Sequence, residues 1–348
     1  MAIGTTKGLF FVSDGAVDGP FLPGESVGAF AQVDDRFLVT SSGLESGPSL
    51  RTSDDGGVRW SEPKVLELDS FGSATNSDAV WQLHVDTRPN AGGAIWAGAD
   101  GAALLRSEDG GETFEPLVSL LEHPDRPSWT PGRCGLALHS ILTHPDRPGR
   151  LVIAISAAGV YKSEDGGKSW TACNRGIDTT EASADSGQCV HKIAVDAVNP
   201  DTLWAQTRSG IYTSVDAGEH WESVGRPGEA GGLASEFGFT VAAHPEEADT
   251  AYVLPLESDL FRCTPQGRCR VYRTTDGGRS WEALSDGLPG TNAFLTVLRD
   301  AFDIASDPPY PLVFGSKSGD VFASLDSGDS WRLVTSYLPP ILCVRVLD

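Results

Sequence analysis

Ser163-Glu-Asp-Gly-Gly-Lys-Ser-Trp170 is one of six octapeptides with a hydroxyl side chain at the first position, Asp at the third, Gly at the fifth and an aromatic ring at the eighth. The others run from Ser53 to Trp60, Ser107 to Phe114, Ser214 to Trp221, Thr274 to Trp281 and Ser324 to Trp331. Their first residues lie 54, 56, 51, 60 and 50 apart, a period expected of propeller blades and too long for most helical solenoid repeats. The composition is that of a tight turn with an apolar anchor. The Asp accepts N–H bonds from the turn after it, the Gly supplies a positive φ, and the ring opens the next strand. Extended, alternating residues precede the copies, as in Gly159-Val-Tyr-Lys162 and Gly210-Ile-Tyr-Thr213. Each octapeptide therefore closes a β-hairpin.

Working outward from Ser163, a blade reads as four strands. These are Leu138 to His144, Leu151 to Ser156, Gly159 to Lys162, and, after the octapeptide, Trp170 to Cys173. The same order recurs six times. A seventh, degenerate copy opens the chain, where Ile3 to Ser13 supplies a second and third strand and Ser13-Asp14-Gly15 a decayed turn. That blade lacks an inner strand, and Ile341-Leu-Cys-Val-Arg-Val346 is an unassigned strand at the other end. Joining the two predicts an all-β, seven-bladed β-propeller, one domain over residues 1–348, in which the C-terminal strand completes the N-terminal blade and leaves only short edges.

The octapeptides match the Asp-box, or BNR, repeat S-x-D-x-G-x-x-W. Over nearly its whole length the chain resembles the Asp-box β-propellers: sialidases, sortilin-type receptor domains, photosystem II assembly factors and bacterial BNR-like or glycosyl-hydrolase-like proteins. The resemblance implies that the boxes lie opposite the usual ligand face. It follows that Asp55, Asp109, Asp165, Asp216, Asp276 and Asp326 hold turns and are not catalytic. It selects no activity, because those relatives include enzymes, receptors and assembly factors. The sialidases carry an Arg-Ile-Pro motif, an arginine triad and six blades. This chain has no Arg-Ile-Pro, and its first arginines are Arg36 and Arg51, so sialic-acid hydrolysis is not expected.

Acidic residues outnumber basic ones 48 to 26, a net charge of −22, which disfavours nucleic acid and anionic lipid as partners. No apolar run reaches the roughly 18 residues of a membrane span, and the first residues lack a secretory signature. A cytoplasmic location is expected. The six cysteines show no metal-ligand spacing, and Cys263 and Cys269 form the first disulfide candidate should the protein be exported.

Candidate chemistry gathers where the inner strands begin. His139 and His191 each stand five residues before a strand-ending His144 or Asp196, so adjacent blades place two imidazoles at similar depth. Neutral imidazoles there can ligate a metal or act as acid or base, tuned by Asp300, Glu236 or Lys192, or they hydrogen-bond one blade to the next. His84, His144 and His244 are not placed to complete a metal site, and none is expected. Arg299 suits a clamp on a carboxylate or on sugar hydroxyls, with Asp300 as acid or nucleophile and Glu236 as the second carboxylate a glycosidase needs; alternatively the Arg299–Asp300 charges pair across blades. Gln188, Ser140 and Lys192 are further ligand-binding candidates. Trp129 and Arg133 offer a stacking wall, unless the Trp pins its own loop. Two functions follow: a small polar molecule or glycan bound at the channel mouth, with glycoside hydrolase or lyase chemistry possible, or a non-enzymatic module docking a protein on that face. No cofactor can be read from the sequence.

Overall fold

The chemistry of the octapeptide dictates its turn. In the computed structural model, which describes residues 1–13, 15–43, 47–66, 79–88, 92–131, 135–178 and 187–347, Ser163 Oγ donates to Asp165 Oδ1 (2.8 Å) and accepts the N–H of Gly167 (2.8 Å), while Asp165 Oδ1 also accepts the N–H of Ser169 (2.9 Å). The same three bonds recur in the other five copies. Bonds from the Ser169 hydroxyl and N–H and from Ser163 push the Asp165 carboxyl down to about 2. It is an ionised turn acceptor with no spare role.

The fifth position must be glycine for two reasons. Its φ lies between 86° and 92° in all six turns, and a Cβ at Gly57, Gly111, Gly167, Gly278 or Gly328 would come within 2.4–2.7 Å of a side chain from the preceding blade or the connection after it. The fourth position also has positive φ, yet a Cβ at Gly56 or Gly166 meets open space. Ala217 and Ser327 stand there in two copies, at φ 57° and 56°. In five of the six copies space, added to conformation, keeps the fifth position glycine; at Gly218, where a Cβ would meet nothing nearer than 3.5 Å, conformation alone does.

Among the described residues the strands form seven four-stranded antiparallel sheets. Helix is confined there to single turns, such as Val118–Leu121 and Arg126–Ser128. The inner strands are Ser26–Val33, Val80–Val85, Leu138–His144, Val190–Val195, Ala242–Ala243 and Phe302–Ile304 for blades two to seven. Blade one takes Ile341–Arg345 as its inner strand, antiparallel to Ala2–Thr5, and its third and fourth strands are Gly8–Ser13 and Ala16–Phe21. Successive inner strands touch in order around the ring, and the closing strand meets blades two and seven. The expected closure is observed. Asp14 and Arg133 lie outside the described residues.

In an antiparallel meander the first and third turns share one end and the second turn shares the other end with the interblade connection. The boxes are therefore on one face, and the interblade connections surround the opposite mouth. Those connections fit tightly: a Cβ at Gly287 would lie 1.8 Å from the carbonyl oxygen of Trp331 in the next blade, and φ there is 77°. Trp331 N–H donates to the carbonyl of Asp286 (2.9 Å) at the same contact. Gly287→Ala should destabilise the fold by about 2–3 kcal/mol, measured by denaturant unfolding. An unchanged midpoint would show that the connection gives way freely.

Candidate functional site

Inner strands of five blades carry an extra residue near the mouth. Pairing skips Gly28, Trp81, His139, His191 and Leu342, and such bulges re-aim side chains next to sites. Counting five residues back from Asp86, His144, Asp196 and His244 gives Trp81, His139, His191 and Phe239. The equivalence expected of the two histidines thus extends over blades three to six.

Both histidines join blade to blade. His139 is fully buried, donates from Nε2 to the carbonyl of Val190 (2.9 Å), and receives the Ser140 hydroxyl at Nδ1 (3.2 Å). His191 donates from Nδ1 to the carbonyl of Gly238 (2.6 Å), leaving Nε2 to face the Cys189 thiol at 3.5 Å. Burial, reinforced by the Arg299 charge, holds His139 well below its ordinary value and His191 at about 3. Both are neutral imidazoles with both ring nitrogens engaged. Ser140 also accepts the N–H of Ile193 (3.2 Å), a second link between blades four and five. Gln188 is fully buried.

Asp300, Lys192 and Arg345 form a largely buried ion cluster. Lys192 Nζ lies 2.6 Å and Arg345 Nη2 3.1 Å from Asp300 Oδ1. Burial by itself would raise the Asp300 carboxyl, but the two cations outweigh it and hold the group below its ordinary value. The cluster draws on blades five, seven and one, and it lies between two cavities. Toward the boxes, a cavity of about 610 Å³ is lined by Lys192, Asp303, Arg345, His84 and Gln82. Toward the mouth, a cavity of about 230 Å³ lies among blades one, two, three and seven.

Arg299 lines the mouth cavity. Its guanidinium carbon sits 5.6 Å from the ring centre of Trp81 and 5.0 Å from that of Phe239. Each such contact contributes about 0.5–2 kcal/mol, whereas a buried charge without a counterion costs several kcal/mol. The rings reduce the cost without cancelling it. Asp300 is the one carboxylate among the described residues lining this cavity, and it is already held by two other cations.

The remaining candidates lie elsewhere. Glu236 lines a separate groove of about 750 Å³ on the rim of blades five and six, with Glu257, Asp259 and Arg208, so it does not share the mouth cavity with Asp300. Trp129 is buried, donates its indole N–H to the Tyr161 hydroxyl (2.7 Å) and stacks on His123; it anchors its loop to blade four. Cys263 and Cys269 are free thiols. No group of three or more metal-ligating side chains occurs among the described residues. Trp81 and Phe239 were missed in the sequence, although counting from strand ends, as for the histidines, would have found them.

No family model matches the chain. A probable oligoxyloglucan-reducing end-specific xyloglucanase of Neosartorya fischeri is 34% identical over 95 residues, which is 27% of this chain and 10% of that protein. The match thus spans about a tenth of the curated relative. Among solved structures, YCF48 from Cyanidioschyzon merolae superposes with a TM-score of 0.56 at 15% identity, covering 90% of this chain and 86% of that one. YCF48 bound to a D1 peptide gives 0.54 at 16%, covering 89% and 82%. An ancestral GH74 enzyme gives 0.55 at 17%, covering 88% of this chain and 39% of the enzyme. At these identities the likeness is one of fold. The chain is a seven-bladed β-propeller with the architecture of the YCF48 and GH74 propellers, consistent with an Asp-box-like propeller family.

Proposed function

We propose that this propeller binds a small polar ligand of sugar size in its mouth cavity and does so without hydrolysing it. The observation that carries the reading is the cavity's charge content: an aromatic wall and a cation with no ion-pair partner among the described residues face a space whose sole described carboxylate, Asp300, is locked to Lys192 and Arg345. Glycoside hydrolysis needs two carboxyl groups flanking the bond, one of them free to give up a proton. Glu236 is in a different groove, and a carboxyl held low by two cations is a poor acid. The partial match to a xyloglucanase supports a glycan as ligand.

A second reading has its own support. Leu260, Phe261 and Phe294 are exposed, and the Phe261 and Phe294 rings meet edge to face at 6.1 Å. Leu260 and Phe261 sit in the blade-six insertion that also supplies Glu257 and Asp259 to the rim groove. Exposed apolar groups of this kind suit a protein partner, and one YCF48 structure holds a peptide.

Calorimetric titration with a panel of mono- and oligosaccharides, alongside an assay for newly released reducing ends, separates the readings. One-site binding that Trp81→Ala removes, with no product, is the expected result. Product release overturns the non-catalytic reading. Sugar binding that Trp81→Ala leaves intact puts the ligand outside the mouth.

A further inference from the structure

We propose that the ligand of the mouth cavity carries a carboxylate received by Arg299, which makes the ligand an acidic sugar: a uronate, or the uronate end of an oligosaccharide. The inference rests on the small-ligand reading above and names its chemical class. Arg299 is 8% exposed, its Nε has no hydrogen-bond partner, and among the described residues no carboxylate forms an ion pair with it. A guanidinium is a permanent cation whose planar N–H edges match a carboxylate bidentately. Asp300, the adjacent residue, cannot serve as that partner, because Lys192 and Arg345 already occupy it. The protein thus holds a largely dehydrated cation between Trp81 and Phe239, with no anion for it among the described residues. A ligand hydroxyl would satisfy an N–H but leave the charge uncompensated, whereas a carboxylate satisfies both.

The rest of the cavity suits a hydroxylated ring. Blade two contributes Ser26 and Ser42, whose hydroxyls make no hydrogen bond to the described residues, beside Thr40, whose hydroxyl donates to the carbonyl of Val80. Trp81 donates its indole N–H to Asp100 Oδ1 (2.7 Å), so what it presents to the cavity is ring carbon. A cation and hydroxyls without partners among the described residues, beside an aromatic surface, are together the complement of a sugar acid. The volume of about 230 Å³ limits what enters to about one such unit.

The test is titration of the whole chain with D-galacturonate, with D-galactose as its neutral counterpart, and with one tetrapeptide in free-carboxylate and C-terminally amidated forms, repeated on Arg299→Met and Arg299→Lys. Galacturonate should bind at least about 20-fold more tightly than galactose, the increment expected of hydrogen bonds between charged partners. Arg299→Met should erase that preference, and Arg299→Lys, which keeps the charge but loses the planar fork, should weaken it. Arg299→Met removes an uncompensated charge and keeps the packing volume, so its thermal midpoint should be no lower than that of the parent. Equal binding of galactose and galacturonate, or a preference that survives Arg299→Met, overturns the carboxylate assignment while the small-sugar reading stands. Binding of the free-carboxylate peptide alone overturns the sugar class. No binding by any probe overturns both, and an unfolded Arg299→Met shows the arginine to be structural and equally overturns the proposal.

Discussion

Ending the chain at Pro340 should abolish cooperative folding. The deletion removes the inner strand of blade one, in which Ile341, Cys343 and Val344 are buried and pair with Ala2–Thr5. Burying an aliphatic side chain contributes about 1.5–3 kcal/mol, so the apolar part of the loss is already about 5 kcal/mol. Arg345 leaves with the strand, and Asp300 then faces Lys192 alone; breaking a buried ionic group costs a further 3–5 kcal/mol or so. The sum is comparable to the roughly 5–15 kcal/mol that holds a domain together. Near-UV circular dichroism and protease resistance of the 1–340 chain measure it. A synthetic peptide covering 339–347 should restore both in part, because the deletion leaves an open strand edge of matching register. A 1–340 chain that unfolds at the parental midpoint would show that the ring does not depend on its closure.

The fold was legible because one local structure repeats. A hydroxyl, a carboxylate and a glycine at fixed spacing can form the same hydrogen-bonded turn anywhere, and six copies at the period of a blade leave little freedom for the strands between them. Even the ring closure followed from counting strands. The site was legible only in part, for a physical reason. Position in a blade can be counted, so His139 and His191 were placed at equivalent depth, but whether a buried imidazole has a free nitrogen depends on the carbonyls of the next blade. Those belong to Val190 and Gly238, 51 and 47 residues away. Likewise the sequence offers Arg299 and Asp300 as neighbouring opposite charges. Only the fold shows that Lys192 and Arg345 take the carboxylate, leaving the arginine between two rings. Residues such as Trp129, whose neighbours come from its own blade, were open to a local argument; the indole–Tyr161 bond is a contact of that kind.

Lowering the pH from 7 to 5 should cost the protein about 2 kcal/mol of stability through His191 alone, with His139 acting in the same direction. In the folded chain burial holds both imidazoles neutral, His191 at about 3 and His139 well below the ordinary value of 6.5. The unfolded chain has no such constraint and takes up a proton on each as the pH falls below 6.5. A folded value below the unfolded one means that the unfolded state binds more protons, so stability rises with pH up to 6.5 and is level above it. His191 contributes about 2 kcal/mol over the two units, and His139, held well below its ordinary value, and His84, lowered by burial to about 4, act in the same direction. The turn carboxylates and Asp300 do not interfere, because they are held below 3.8 and stay ionised in both states through most of this window. Urea unfolding at pH 7, 6 and 5 gives the slope. The double variant His139→Gln, His191→Gln should be less stable at pH 7, since its amides replace fitted imidazoles, yet it should lose most of the pH dependence. An acid slope unchanged in that variant, or an imidazole of either residue titrating near 6.5 in the folded protein by NMR, would mean that these rings reach solvent. They would then be available to a ligand at the mouth in the way their sequence positions first suggested.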